Sequence, residues 1–109
     1  MDVLQAMRVF SCVVQAGSLT SAAERLDTSI ASVSRILSSL EAHLTTRLLN
    51  RTTRRIALTE AGMRYHKRCL LILELVETAE TEVLQQRLEM PMLGQARQPL
   101  VNFGHKVHC

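Results

Sequence analysis

The sequence predicts a mainly α fold of three short helices, a small β-hairpin and one long helix. Three observations predict it. Apolar residues recur at spacings of three and four in three short stretches before residue 45. An apolar, polar, apolar run then spans residues 48–58. After Thr59 a helical pattern continues for about thirty residues without a proline.

Helix one is expected over residues 2–16. Leu4, Met7, Phe10 and Val14 line one face, Asp2 suits the positive end of the helix dipole, and Gly17 ends the helix. Ser18 is placed to cap helix two, which runs to about Leu26. Its Ala22 and Ala23 are small enough for a neighbouring helix to approach closely. Asp27 and Thr28 form a turn, and Ser29 caps helix three, expected from Ile30 to about Leu44. The apolar face of helix three is read as Ile30, Val33, Ile36 or Leu37, Leu40 and Leu44. Its other face carries Ser32, Ser34, Arg35, Ser38 and Ser39. Short hydroxyls permit close approach to a partner and donate to phosphates or base edges.

Leu48-Leu49, then Asn50 to Arg55, then Ile56-Ala57-Leu58 reads as a hairpin. Thr59 caps the long helix, expected from Glu60 to about Met90. Tyr65, Cys69, Ile72, Val76, Ala79 and Val83 step by four and three along it, a heptad seam. Thirty residues of helix extend roughly 45 Å, more than a small domain requires, so this seam is assigned to a dimer interface. After Pro91 the periodicity stops. Residues 91–109 hold both prolines and two of the four glycines, and read as linker or disordered tail. The expected division is 1–58 for a winged helix-turn-helix domain, 59–90 for a linker and dimerisation helix, and 91–109 for the tail.

Charge is unevenly placed. The net charge is +3. From Arg47 to Arg68 there are seven cations (Arg47, Arg51, Arg54, Arg55, Arg64, Lys67, Arg68) against Glu60 alone. From Glu74 to Glu89 five acids meet only Arg87. No acid lies between Leu48 and Thr59 to pair with Arg51, Arg54 and Arg55. Arginines at a hairpin tip favour phosphate or minor-groove contact. Arg35, on the exposed face of helix three, favours phosphate or guanine over a surface ion pair with Glu41. A short turn, a polar second helix and a cation cluster directly behind it point to double-stranded DNA.

Other classes find little support. Aromatics are 3% of the chain and Trp is absent, so the core rests on aliphatic helix packing. No paired carboxylates, Ser/His/Asp set or phosphate-cradling glycine loop occurs, and neither an enzyme nor a cofactor is expected. Cys12, Cys69 and Cys109 are odd in number and far apart, with no disulfide framework and no zinc spacing, so reduced thiols are expected. His105, His108 and Cys109 lie close together without a second cluster, and no metal site is assigned. The longest unbroken apolar run, Cys69 to Leu73, is too short to span a bilayer. The N-terminus does not read as a signal peptide, and a cytoplasmic protein without membrane contact is expected.

The motifs AMRVF, GSLTSAAERL, SVSR, LEAHL, RLLNRTTRR and LTEAG occur in this order over residues 1 to about 90. In these the chain resembles the N-terminal DNA-binding region of LysR-type transcriptional regulators. The resemblance implies a winged helix-turn-helix whose third helix enters the major groove. It also implies a wing at the flanking minor groove and a linker helix that pairs antiparallel with its mate in a homodimer. Its implied DNA contacts are Ser29, Ala31, Ser32, Ser34 and Arg35, with Arg51 and Arg54 on the wing and Ser18 and Thr20 at the start of helix two. Arg55 joins them on the charge argument alone.

Four positions depart from the family pattern. Ile30 stands where Pro is common, Ile36 where Gln is usual, and Asp27 and Thr45 where glycines stand. Members usually continue into an effector-binding domain. Here QPLVNFG, residues 98–104, looks like its opening, and no small-molecule effector site is expected. The expected function is a sequence-specific DNA-binding regulator acting on an inverted repeat. The alternative is a truncated interaction module that heterodimerises with full-length relatives through the long helix.

Overall fold

The computed structural model describes residues 1–51 and 55–89. The order is α1 (Val3–Ala16), α2 (Leu19–Leu26), α3 (Ile30–Leu44), β1 (Leu49–Arg51), β2 (Ile56–Leu58) and α4 (Glu60–Glu89). The strands form an antiparallel pair in the register Leu49↔Leu58, Asn50↔Ala57 and Arg51↔Ile56. This is the expected architecture. The expected tail, residues 91–109, lies outside the described residues.

The helix boundaries follow from caps. The Asp2 carboxylate accepts from the Gln5 amide at 3.1 Å, the Ser18 hydroxyl from Ser21 at 3.1 Å and the Ser29 hydroxyl from Ser32 at 3.0 Å. Each satisfies a donor that the first helical turn leaves without a partner. Left-handed residues close the other ends: Gly17 at φ 84°, Asp27 at 59° and Thr45 at 51°. Glycine takes this conformation freely, whereas Thr, branched at Cβ, does so at a cost.

The core is aliphatic around one aromatic. Phe10 is fully buried with Val13, Ala22, Val33, Leu37, Leu40, Leu49 and Cys69. The small Ala22 and Ala23, both buried, let α2 sit close to its neighbours. The Phe10 ring meets Tyr65 at 5.7 Å and His66 edge-on at 6.0 Å, which ties the start of α4 to α1. Ile30 departs from its expected core position: it is 46% exposed in the first turn of α3, while Val33 and Leu37 are covered. Cys69 is a free, buried thiol, Cys12 is buried in the core, and Cys109 lies outside the described residues. No helix among the described residues is long and apolar enough to cross a membrane.

Candidate nucleic-acid interface

Helix α3 turns its apolar face inward and its polar face outward. Val33, Leu37 and Leu40 are at most 1% exposed, and at 100° per residue this leaves Ala31, Arg35 and Ser38 on the opposite side. All three are exposed. Ser32 and Ser34 are half-buried at the margins, and Ser29 and Ile30 are exposed at the N-terminal tip. The family departure at Ile36 is a packing one. Ile36 is half-buried against the core and lines a 260 Å³ groove with Arg35, Ser39, Asp2 and Gln5.

The turn between α2 and α3 holds the two helices at a fixed angle. After Leu26, Asp27 adopts the left-handed conformation and the Thr28 amide donates back to the Ala23 carbonyl at 2.9 Å. Ser29 then resumes extended backbone and caps α3. Ser18 spends its hydroxyl oxygen on its own cap, which fixes the start of α2, while Thr20 is exposed one residue into that helix. The expected contacts on α2 and α3 thus form two neighbouring helix starts beside one polar helix face.

The wing root is held by a residue absent from the expected site. The Glu41 carboxylate accepts from the Leu48 amide at 2.7 Å and from the Leu49 amide at 3.0 Å. Two amides on one carboxylate oxygen anchor the first strand to the last turn of α3. From the other side, the Thr59 amide donates to the Leu48 carbonyl at 3.0 Å. The Thr59 hydroxyl accepts from Gly62 at 2.9 Å, capping α4, and donates to the Arg47 carbonyl at 2.8 Å. A Cβ at Gly62 would stand 2.1 Å from the Leu48 carbonyl oxygen, so only glycine allows this approach. The signals for Glu41 and Gly62 lie in LEAHL and LTEAG, but their partners are distant in sequence.

Arg51 closes β1, Arg55 is exposed just before β2, and Arg54 lies outside the described residues. Arg51 and Arg55 thus stand at the two sides of a hairpin whose base is fixed to α3 and α4.

The heptad seam divides in two. Cys69 is completely buried within the chain and Tyr65 packs on Phe10. Cys69 thus has no surface to offer a partner, which corrects its assignment to the dimer interface. The cause is that the first turns of α4 complete the domain's own core. Burial and the Tyr65 hydroxyl act oppositely on the Cys69 thiol; burial prevails and pushes its pKa up to about 11. Burial also raises the Tyr65 phenol above its usual range. Beyond Leu73 no described residue of α4 is fully buried. Ile72 and Val76 are half-buried and Ala79 and Val83 exposed, with Leu71 and Leu75 exposed by 51% and 68% beside them.

The profile described as "Bacterial regulatory helix-turn-helix protein, lysR family" matches residues 4–63. An uncharacterized HTH-type transcriptional regulator of Haemophilus influenzae is 46% identical over 85 residues, 78% of this chain and 30% of that protein. The HTH-type transcriptional regulator CrgA of Neisseria meningitidis serogroup C is 47% identical over 78 residues, covering 72% of this chain and 26% of CrgA. The chain thus spans under a third of the length of these relatives. Among solved structures, the BenM DNA-binding domain in complex with catB site 1 DNA superposes with a TM-score of 0.76 at 28% identity, over 80% of this chain and 96% of that one. A capped polar helix, a hairpin fixed behind it, a long terminal helix and this profile over residues 4–63 agree: the chain belongs to the lysR family of bacterial regulatory helix-turn-helix proteins.

Proposed function

We propose that the chain is the DNA-binding and dimerising part of a cytoplasmic transcriptional regulator. Two copies present α3 to the half-sites of an inverted repeat. The observation that carries this reading is the polar outer face of α3, with Ala31, Arg35 and Ser38 exposed beside a hairpin rooted on the same helix. Arg35 offers a fork of donors that suits guanine or phosphate. Ser29, Ser32 and Ser34 contribute hydroxyls, and Ser18 and Thr20 approach the backbone at the start of α2. Arg51, Arg54 and Arg55 engage the flanking duplex.

Dimerisation runs through the outer part of α4. Ile72, Val76, Ala79 and Val83 continue the heptad stripe past the domain core, and the apolar surface they share with Leu75 favours a second copy. Four acids, Glu74, Glu77, Glu80 and Glu82, surround this stripe and keep it soluble before pairing. Neither catalysis nor a cofactor enters this reading.

Selection of duplexes from a random pool tests the proposal. The protein should enrich an inverted repeat, with affinity falling steeply between 50 and 200 mM salt as counterions are released. Sedimentation of Val76→Asp tests the dimer: it should run as a monomer, and an undiminished dimer would remove the stripe from the interface. Heterodimers with a full-length relative that lose DNA binding would instead favour the interaction-module reading.

A further inference from the structure

Leu71 has no task in the proposed dimer, and Leu75 only borders its seam. The two are 51% and 68% exposed, one turn apart on α4, and open apolar side chains of this size lose free energy to water. They belong to a stripe of six exposed residues, Arg64, Arg68, Leu71, Leu75, Thr78 and Glu82. At 100° per residue the stripe keeps to an arc of about 80°, facing away from the buried Cys69 and Leu73. It stands about a quarter turn from the line of Ile72, Val76, Ala79 and Val83 that the dimer uses. Its members step by four, three, four, three and four, the spacing of a coiled-coil seam.

The order of residues along the stripe is self-complementary. An antiparallel second copy sets Arg64 against Glu82, Arg68 against Thr78 and Leu71 against Leu75, each contact occurring twice about the level of Leu73. A parallel copy would set Arg64 on Arg64 and Glu82 on Glu82, and like charges repel. Arg64 is available for this. Its side chain is 79% exposed, and its 3.2 Å bond to Glu60 is a surface pair of little worth. The basic end of the stripe also borders a 690 Å³ groove lined by Arg64, Lys67, Arg68, Leu70, Leu71 and Glu74. That groove suits a helix edge that carries a leucine and ends in a carboxylate.

We infer that this stripe is a second assembly surface, on which two dimers join into a tetramer by antiparallel pairing of their α4 helices. The inference rests on the proposed dimer through the line from Ile72 to Val83. Where the two α4 helices of a dimer run antiparallel, their two-fold axis turns both stripes to the same side. Two dimers therefore meet face to face with both stripes engaged at once.

Sedimentation of the intact chain over a wide range of concentration tests this, with far-UV circular dichroism as a check of folding. The wild type should pass from dimer to tetramer as concentration rises. Leu71→Ser should raise the tetramer dissociation constant at least tenfold and leave the dimer unchanged. Arg64→Glu and Glu82→Arg should each weaken the tetramer about fivefold. The double variant should regain wild-type affinity, which a general loss of folding would not allow. A wild type that stops at the dimer at every concentration overturns the inference and leaves the dimer reading standing. A monomeric Leu71→Ser overturns it too, because the stripe is then the dimer seam itself. Arg64→Glu that weakens duplex binding without changing assembly assigns the stripe to DNA and overturns it as well. If the wild type is a monomer throughout, the dimer reading fails and the inference falls with it.

Discussion

Glu41 and Leu48 are joined by a 2.7 Å hydrogen bond from the Leu48 amide to the Glu41 carboxylate, and the next amide, Leu49, reaches the same oxygen at 3.0 Å. A side chain near the end of α3 therefore sets where the wing begins. Hydrogen bonds to a charged acceptor contribute about 1.5–3 kcal/mol each, and Glu41 is only half-buried, so the lower end applies. Glu41→Ala should lower unfolding free energy by about 3 kcal/mol in urea titration. It should also weaken duplex binding by loosening the hairpin, although Glu41 bears the wrong charge to contact DNA. A variant as stable as wild type would show the two bonds to be dispensable.

Gly62 tests the other side of that root. Glycine to alanine within a helix ordinarily gains about 1 kcal/mol. Here the added carbon would stand 2.1 Å from the Leu48 carbonyl oxygen, a backbone atom that cannot turn aside. Overpacking of this kind costs about 1–3 kcal/mol or more, so the clash outweighs the propensity. Gly62→Ala should lower the melting temperature by several degrees, and any rise would contradict the close approach.

Thr45 predicts the opposite sign. It holds φ 51° at the end of α3, where a residue with a Cβ loses about 1–2 kcal/mol. Replacement by glycine relieves that strain but adds about 0.5–1 kcal/mol of chain entropy to the unfolded state. The bond from its hydroxyl to Leu44 is at the surface and weighs little. Thr45→Gly should stabilise the domain by about 0.5–1 kcal/mol. Asp27→Gly should do less, because Asp tolerates the left-handed conformation better than Thr.

The Cys69 thiol links stability to alkaline pH. Its folded pKa of about 11 exceeds the ordinary value of 9.0, so the folded state holds the proton more tightly than the unfolded chain. Below pH 9 both states are protonated and nothing changes. As pH rises from 9 towards 11 only the unfolded chain ionises, and stability falls. Cys69→Ala should flatten that fall in a series of melts. In native wild-type protein at pH 8, a thiol reagent should modify Cys69 only after denaturant is added.

On the DNA side, Arg35→Ala should weaken binding to a selected duplex at least fivefold. Arg87→Ala, exposed on α4 far along the chain, should change it less than twofold. Equal losses in a gel-shift titration would remove Arg35 from the interface.

The sequence carried the local parts of this fold well. Ser18, Ser29 and Thr59 mark three helix starts because capping depends on residues three positions apart. The left-handed sites at Asp27 and Thr45 were visible as departures from a family pattern. What escaped involves partners distant in the chain. Periodicity placed Ile30 on the buried face, since spacing records a direction and not whether anything stands there. It gave Cys69 to a second copy, since a heptad stripe does not say which surface covers it. In the sequence Glu41 carries no signal beyond a surface ion pair with Arg35 that ranks below phosphate or guanine contact, and nothing local announces the amides of Leu48 and Leu49. The polar face of α3 was legible because it needs only one helix to define it.

The pinning of the hairpin to α3 has a consequence for the duplex. Ile30 and Glu41 are eleven residues apart on one rigid helix, a distance of roughly 16 Å, and the wing departs from the far end. The two ends cannot adjust to each other when the target changes. If α3 enters the groove as proposed, inserting one base pair between the groove contact and the flanking contact would turn the flank by roughly 35°, away from a hairpin whose root is held at Leu48 and Leu49. The domain would then act as a gauge of helical phase, rejecting sites whose letters are right but whose spacing is wrong.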